Sequence, residues 1–421
     1  MKFIKSKYFK LISLLILVFS SSFSLSITQV SLSQTNNENL SIKTSASGVS
    51  NYQITQSVTY SIEINISLTQ TSGSTTYDFK YPRLNDRQPH SYLTEYTPPY
   101  QESELLYDAI NVPSTYVKDE FNNTYDLFNA SLSIGNNITL SQHYIVKENE
   151  VTFGDIEYLN IDMNDYNQSD PMFTLYGNNT MQYYETDNYT LYTASNAIAG
   201  SYSNPAMKAK KIIEFVSNYL TYDGNMPDQE EGAAWAYGHH RGDCSEYSTL
   251  AITLMRIQGI PARKVTGLLT SEYLDFKPYV GYTRTFTNND GSSNFLGHAW
   301  VEFYIPTVGW VACEPQSAIL WKTSSYLRFA QNIGQWFEFP KPQPPGYDNI
   351  SEFNYLFTSN GLFDDYDFAY SLKYSVINTN LNSGLDLITI LIIVIVVSTI
   401  IVISIVILRY IIHKRRYASE W

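Results

Sequence analysis

Residues 241–269 read RGDCSEYSTLAITLMRIQGIPARKVTGLL, and the rest of the fold can be inferred outward from them. Apolar residues recur here at helical spacing, which predicts a helix with one buried face. Gly259 lies where the glycine after a helix C-terminus belongs, and Pro261 prevents the helix from continuing. Residues 262–269 are then predicted to form a strand. Cys244 is therefore predicted to lie in the first turn of a helix that leads into a sheet.

The predicted position of Cys244 suits a nucleophile. A helix N-terminus offers the positive end of the helix dipole and unpaired backbone N–H groups, and both favour a thiolate over a thiol. The same N–H groups can bind the oxyanion that forms when a thiolate attacks a carbonyl. Asp243 and Glu246 flank the cysteine, and we expect them to cap the helix.

Two further strands, residues 298–305 (HAWVEFYI) and 310–314 (WVACE), are predicted to form a hairpin. His298 opens the first strand and Glu314 ends the second, so the hairpin would bring an imidazole beside a carboxylate. Cysteine, histidine and acid on a helix and two strands form an arrangement suited to nucleophilic catalysis. Glu302 lies on the same strand face as His298, because side chains alternate, and is an alternative partner for the imidazole.

The segments GDCSEYSTLAITLMRIQGIPARKVTG, GHAWVEFY and GWVACEPQ resemble, in this order, the three core motifs of the transglutaminase-like superfamily. The resemblance covers about residues 203–320 and implies a papain-like thiol-enzyme core. It implies Cys244 as the nucleophile, His298 as the base and Glu314 as the acid. The superfamily usually has aspartate at the third position, so Glu314 is a departure whose extra methylene needs more room.

Two functions are consistent with this pattern. The first is a membrane-anchored, extracytoplasmic cysteine enzyme that attacks protein or peptide amide bonds through an acyl thioester. Water would complete hydrolysis, as in a protease or amidase, and an amine would complete transamidation. The alternative is a catalytically degenerate core that serves in cell-surface adhesion or assembly.

Further side chains near the predicted nucleophile are candidates for supporting roles. A side chain that donates a second hydrogen bond to the oxyanion is expected, and Trp235, Tyr237 and Tyr222 are the candidates. His239 and His240 precede the cysteine and are either loop residues or substrate contacts.

No metal site and no cofactor is predicted, because the 6 histidines show no H-x-x-x-H spacing and the 2 cysteines no C-x-x-C spacing. Residues 223–232 contain several carboxylates, but their spacing does not fit a calcium loop, so a solvated acidic loop is predicted. Cys313 precedes Glu314 and would point to the other side of its strand. A disulfide between Cys313 and Cys244 would also remove the nucleophile, so Cys313 is predicted to be a buried free thiol.

The 421-residue chain carries 27 basic and 40 acidic side chains, for a net charge of −13. Basic residues concentrate at the two ends, so the stretch between them is more acidic than the whole chain. No basic stripe remains there, which excludes nucleic acid as a partner. A hydrophobic content of 44% and an aromatic content of 15% exclude wholesale disorder. The predicted partner is a protein or peptide substrate outside the cell.

The two ends of the chain resemble topology signals. Residues 387–408 carry no charge, and as a helix they would be about 33 Å long against a hydrocarbon core of roughly 30 Å. They predict one transmembrane helix, with a buried core helix as the alternative, and the basic residues that follow predict a cytoplasmic C-terminus. Residues 1–27 predict a signal peptide or an uncleaved anchor. The predicted location is therefore the cell membrane, single-pass, with the bulk of the chain extracytoplasmic.

Sequons for N-glycosylation are compatible with an external glycoprotein. They begin at Asn39, Asn65, Asn122, Asn129, Asn137, Asn167, Asn178, Asn188 and Asn349.

The predicted fold class is α+β: an N-terminal antiparallel β-sandwich, a papain-like transglutaminase core and a single C-terminal transmembrane helix. Apolar and polar residues alternate over 58–68, as in a half-buried strand, and short strands with turn signals follow. The predicted segments are a signal peptide or anchor (1–27), the β-sandwich (28–198), the core (199–336), a Pro-rich linker and stalk (337–384), the transmembrane helix (385–409) and a cytoplasmic tail (410–421).

Overall fold

The structure is a computed structural model that separates into two compact units, Met1–Thr379 and Asn380–Trp421. The predicted β-sandwich (28–198) and the predicted core (199–336) both lie in the first unit, so the boundary predicted between them does not divide two compact units. The residues that the structure describes are 51–84, 97–119, 121–177, 183–226, 230–273, 275–287, 296–334, 366–381 and 387–417.

The described part of the first unit contains strands from several sheets. They are β1 (Tyr52–Gln70), β2 (Ser74–Pro82), β3 (Gln101–Ile110), β4 (Ser114–Lys118), β5 (Thr124–Ser133), β6 (Asn137–Phe153), β7 (Thr221–Tyr222), β8 (Arg241–Gly242), β9 (Ala262–Leu269), β10 (Thr283–Thr287), β11 (Gly297–Ile305), β12 (Gly309–Cys313), β13 (Arg328–Ile333) and β14 (Tyr366–Asn380).

Helices in the first unit fall between β6 and β9. They are α1 (Pro171–Tyr176), α2 (Tyr189–Ala199), α3 (Pro205–Tyr219), α4 (Ala233–His239) and α5 (Cys244–Ile257). Short 3-10 helices lie at Ile156–Tyr158, Met163–Asp165 and Ala318–Leu320. Helix α5 begins at Cys244, and Gly259 follows it with a φ of +77°, so the predicted start and end of this helix are confirmed.

A five-stranded sheet in the order β10-β14-β1-β6-β3 forms around the long antiparallel pair of β1 and β6. The alternation predicted for β1 is confirmed, because every second side chain from Val58 to Leu68 is buried. A three-stranded sheet, β2-β5-β4, contacts the larger one, since the Tyr81 hydroxyl of β2 lies 3.0 Å from that of Tyr370 in β14.

Two strands of the larger sheet, β10 and β14, follow the predicted β-sandwich segment in the sequence. Residues 366–380 belong to the segment predicted to be a stalk or a small accessory strand region. They form β14 and lie between β10 and β1. Tyr370, Leu372, Tyr374 and Val376 alternate along β14 and are all buried. The N-terminal sheet therefore takes two of its strands from residues beyond the predicted sandwich.

The second large sheet has the order β12-β11-β9-β13, and its strands pair antiparallel. Helix α5 packs against β11 and β9, while α3 and α4 pack against α5. One buried core joins these elements and includes Ile213 of α3, Leu250 of α5 and Phe303 of β11. The first turn of α5 thus lies over a sheet, which positions its N-terminal side chains.

The second unit contains α6 (Leu387–Tyr417). Among the described residues, no helix combines the length and the apolar character that crossing a membrane requires. The predicted fold class is therefore wrong in its single transmembrane helix. The structure shows a mixed α and β fold.

Several predictions fall on residues that the structure does not describe. The predicted signal peptide or anchor at 1–27 lies outside the described residues, and so do residues 337–365 of the predicted linker. The sequons at Asn39, Asn178 and Asn349 also lie outside them.

Candidate active site

The N-terminus of α5 is closed by a capping box around Cys244. The Asp243 carboxylate accepts the Ser245 N–H at 2.7 Å, and the Glu246 carboxylate accepts the Asp243 N–H at 3.0 Å. The predicted capping roles of Asp243 and Glu246 are thus confirmed. Because both ends of the box are bonded, the backbone that carries Cys244 is held in a fixed conformation.

Glu246 also fastens the preceding loop to the helix. Its second carboxylate oxygen accepts the Glu231 N–H at 3.2 Å. Burial, together with the charge of Asp243, raises the pKa of Glu246 to about 7. A Cβ at Gly242 would lie 2.3 Å from the Cβ of Glu246, so glycine is required there for the carboxylate to reach both N–H groups.

A buried ion pair lies below the first turns of α5. Glu230 is 5% exposed, and its carboxylate lies 2.8 Å from the Lys264 ammonium of β9. The Thr249 hydroxyl of α5 donates to the same carboxylate. The prediction of a solvated acidic loop is therefore wrong at Glu230, because a buried lysine compensates its charge and the loop is bonded to both helix and sheet.

His298 and Glu314 meet as the hairpin of β11 and β12 predicts. The His298 Nε2–H donates to the Glu314 Oε2 at 2.7 Å, and the two side chains are 9% and 10% exposed. Glu302, the alternative partner, is fully buried and instead lies 2.8 Å from the Arg263 guanidinium. The imidazole is thus oriented by Glu314.

The electrostatics of this pair favour its ionised form. Burial opposes a charge on His298, but the Glu314 carboxylate and a hydrogen bond with the Cys244 side chain raise the pKa of His298 to about 10. Burial likewise opposes a charge on Glu314, but His298 and Arg328 bring the pKa of this carboxyl below its usual range. At neutral pH the site therefore holds an imidazolium between a carboxylate and Cys244.

Tyr222 is the oxyanion candidate that the fold brings towards the nucleophile. Strands β7 and β8 pair in parallel, with Tyr222 opposite Gly242, and the Asp223 N–H donates to the Gly242 carbonyl at 3.0 Å. Burial and the charges of Cys244 and Asp243 raise the pKa of Tyr222. Its phenol is therefore within electrostatic range of Cys244.

The other candidates, on α4 and just after it, make ring contacts with one another or with Tyr219 of α3. Trp235 stacks on His239 with ring centroids 4.3 Å apart. Tyr237 and His240 both pack against Tyr219, at 4.9 and 4.4 Å. Their roles in oxyanion or substrate binding stay predictions.

Both cysteines are free thiols, as predicted, and Cys313 is buried. Among the described residues, no group of three or more His, Cys, Asp or Glu side chains is arranged to hold a metal ion.

Arg328 of β13 is the site residue that the sequence analysis missed. Its guanidinium donates to the Glu314 Oε2 at 3.2 Å. Arg328 is not part of a recognisable motif in the sequence. Its place beside Glu314 becomes apparent only from the pairing of β13 with β9.

Comparison with known proteins finds a family match for part of the chain. The model of the transglutaminase-like superfamily matches residues 192–315. These residues form a transglutaminase-like domain. They include Cys244, His298 and Glu314, and the match agrees with the resemblance of the three motifs.

Two curated relatives match the chain over a length similar to that of the family model. The uncharacterized protein YebA of Bacillus subtilis is 30% identical over 129 residues, which cover 29% of this chain and 17% of YebA. An uncharacterized protein of Haemophilus influenzae is 26% identical over 122 residues, which cover 28% of this chain and 33% of that protein. The match thus spans a third or less of each relative.

Solved structures resemble the chain over a longer stretch at low identity. A cysteine protease candidate from Cytophaga hutchinsonii is 14% identical with a TM-score of 0.43, covering 77% of this chain and 99% of that one. The periplasmic domain of TgpA from Pseudomonas aeruginosa is 13% identical with a TM-score of 0.31, covering 62% of this chain and 88% of that one.

Proposed function

We propose that this protein is a thiol enzyme in which Cys244 attacks the carbonyl carbon of an amide in a protein or peptide. The observation that carries the proposal is the buried hydrogen bond of 2.7 Å between His298 and Glu314, beside a cysteine at a helix N-terminus. An oriented, charged imidazole next to a thiol is what thiolate chemistry needs. The transglutaminase-like domain supports the same general kind of enzyme.

The first half-reaction follows from these positions. The Cys244 sulfur bonds to the carbonyl carbon, and the carbonyl oxygen becomes an oxyanion. The Cys244 N–H at the start of α5 and the Tyr222 hydroxyl would donate hydrogen bonds to that oxygen. The C–N bond then breaks, His298 gives its proton to the departing nitrogen, and a thioester on Cys244 remains.

The second half-reaction decides the product. His298, now neutral, takes a proton from water or from an amine as that molecule attacks the thioester carbon. The C–S bond breaks and Cys244 leaves as a thiolate. Water gives a carboxylic acid, whereas an amine gives a new amide. We propose hydrolysis as the default, because water is in excess.

We also propose that the reaction takes place outside the cytoplasm. The support is the sequence alone, since lysines precede an apolar segment within residues 1–27, as in secretory signals. The acidic stretch that contains the domain gives no support for a nucleic-acid substrate.

Alkylation of Cys244 tests the nucleophile without a known substrate. The full chain is treated with iodoacetamide at about pH 6, where an ordinary thiol with a pKa near 8.5 reacts slowly. We expect rapid labelling of Cys244 by mass spectrometry, and slow labelling after His298→Ala. Cys313→Ala, which removes the buried second thiol, is the matched control and should label like the wild type. Slow labelling of Cys244 in the wild-type protein would reject the proposal.

Turnover separates the reaction types. A library of glutamine-containing peptides is incubated with the protein, with and without a fluorescent primary amine. Ammonia or peptide fragments without amine incorporation indicate hydrolysis, whereas incorporation indicates transamidation. If a folded Cys244→Ala protein keeps its cellular role, the domain instead serves in adhesion or assembly.

A further inference from the structure

The Glu314 carboxylate has two cationic partners on one oxygen. The Oε2 atom accepts a hydrogen bond from His298 at 2.7 Å and another from Arg328 at 3.2 Å. The Arg328 side chain is 5% exposed. A carboxylate bonded on two sides cannot rotate away from the imidazole without breaking one of these bonds.

Trp300 lies between the two cations. Its ring is nearly parallel to that of His298, at 23° with centroids 6.0 Å apart. The guanidinium carbon of Arg328 lies 4.2 Å from the Trp300 centroid, which is cation–π geometry. His298, Trp300, Arg328 and Glu314 thus form a closed ring of contacts.

The sheet register brings Arg328 to this place across a whole strand. Strand β9 lies between β11 and β13, with His298 opposite Gly267 and Arg328 opposite Leu269. A Cβ at Gly267 would lie 2.0 Å from the Phe329 carbonyl oxygen. Glycine at this position lets β13 approach closely enough for the arginine to reach over β9.

The N-terminal sheet covers the ring of contacts. The Gln101 side chain of β3 accepts the Ala330 N–H at 2.7 Å and donates to the Ala330 carbonyl at 3.2 Å. A cavity of about 10 Å³ remains between Glu148 of β6, Trp300 and Arg328. This space is at the lower limit for one water molecule, so the ion pair lies in a low-dielectric environment.

We propose that Arg328 and Trp300 form a clamp that fixes the Glu314 carboxylate against His298, which makes Arg328 a positioning residue for the thiol chemistry. The inference rests on the proposed function of Cys244. It also explains how a glutamate serves where aspartate is usual, because the clamp restricts the longer and more flexible side chain.

The charged and titratable groups around Glu314 come from several elements. His298 faces it from β11 and Arg328 from β13, Cys244 of α5 lies beyond His298, and Cys313 precedes it in β12. Both His298 and Arg328 lower the pKa of Glu314. Without the guanidinium this pKa is higher, so the carboxyl takes up a proton, and the His298 ion pair is lost, at a higher pH.

Three variants of the full chain test the clamp. Arg328→Met removes the charge, Arg328→Lys keeps it, and Arg263→Met is the matched control. Arg263 is also a buried arginine, lying 3.9 Å from the Trp310 centroid and paired with Glu302. Two quantities are measured against pH: the carboxyl ¹³C shift of Glu314, assigned with Glu314→Gln, and the iodoacetamide labelling rate of Cys244.

We expect Arg328→Met to raise the titration midpoint of Glu314, and the acid limb of labelling, by about one pH unit. Arg328→Lys should restore most of the shift, and Arg263→Met should leave both unchanged. An unchanged Glu314 midpoint in Arg328→Met, or an equal change in Arg263→Met, overturns the clamp. If Arg328→Met does not fold, a midpoint in Trp300→Phe equal to wild type overturns it. A raised midpoint in a protein whose Cys244 labels slowly supports the clamp and rejects the proposed function instead.

Discussion

At the scale of the residue, the length of Glu314 is matched to its surroundings. The carboxylate reaches His298 at 2.7 Å and Arg328 at 3.2 Å, and both partners are fixed on other strands. Aspartate at this position would withdraw the carboxylate by about one C–C bond, roughly 1.5 Å. The residue that is usual in the superfamily should therefore be the poorer one here.

Glu314→Asp is expected to lower kcat/KM for the amide substrate by about 10- to 100-fold, since a displacement near 1 Å costs up to that factor. The measurement is the initial rate on whichever glutamine peptide the library identifies. Glu302→Asp is the control, because Glu302 is buried in the same sheet and pairs with Arg263. An Asp variant as active as the wild type would mean that the backbone adapts to the shorter side chain.

Glu314→Gln tests the electrostatics of the pair. The Glu314 charge is the largest influence that raises the pKa of His298 to about 10, while burial lowers it. Without this charge only the Cys244 side chain still opposes the effect of burial, so the His298 pKa should fall well below 10. Imidazole ¹⁵N shifts recorded against pH measure this value. A His298 pKa that stays near 10 would contradict the assignment of Glu314 as the charge partner.

The same pair should make stability depend on pH. A folded-state pKa above the unfolded value stabilises the fold below pH 6.5, and this contribution is lost as the pH rises through about 10. The wild-type free energy of unfolding, measured in urea, should therefore fall over this range more steeply than that of Glu314→Gln. Equal slopes would show that His298 titrates alike in both proteins.

At the scale of the element, the N-terminus of α5 carries both a stabilising cap and the proposed nucleophile. Its capping box holds the first turn, and the nucleophile is the first residue of that turn. Other helices of the first unit have a cap without a reactive residue, such as α2, where Asn188 accepts the Thr190 and Leu191 N–H groups. The effect of a cap on stability can thus be separated from its effect on the position of Cys244.

Asp243→Ala and Asn188→Ala should each lower the free energy of unfolding by about 1 kcal/mol, the usual cost of losing a cap. Only Asp243→Ala should also slow the labelling of Cys244, because it frees the first turn of α5. Urea unfolding and iodoacetamide kinetics give the two values. Equal labelling rates in both variants would show that the cap has no part in positioning the thiol.

Local signals explain which elements the sequence predicts. The start of α5 follows from its cap, its end from Gly259, and the hairpin of β11 and β12 from alternation and a short turn. The burial of Glu230 and the contact of Arg328 with Glu314 could not be predicted from local signals. Glu230 is buried because it pairs with Lys264, and both ion pairs join residues that are distant in the sequence. No local pattern specifies which distant strands pair.

At the scale of the whole first unit, its last strand, β14, pairs with its first strand, β1. Strand β14 comes after the transglutaminase-like domain, yet it pairs between β10 and β1. Tyr374 of β14 packs edge-on against Tyr60 of β1, with centroids 5.5 Å apart, and its hydroxyl donates to the Thr270 carbonyl. The end of this unit therefore completes the sheet that covers the clamp.

The sequence-based boundary at residue 336 should consequently be too early for a stable fragment. A fragment of residues 28–336 lacks β14, so one edge of β1 is left without its partner strand. A fragment of residues 28–381 keeps β14 and its pairing with β1. Four buried side chains of β14 contribute about 1.5–3 kcal/mol each, a sum comparable with the whole stability of a domain, roughly 5–15 kcal/mol.

We expect the shorter fragment to aggregate or to lose its cooperative thermal transition. In the control, a Gly/Ser sequence of equal length replaces residues 366–380, which separates the loss of the strand from the loss of chain length. A shorter fragment that unfolds at the Tm of the longer one would show that β14 is an accessory and that the domain is complete without it.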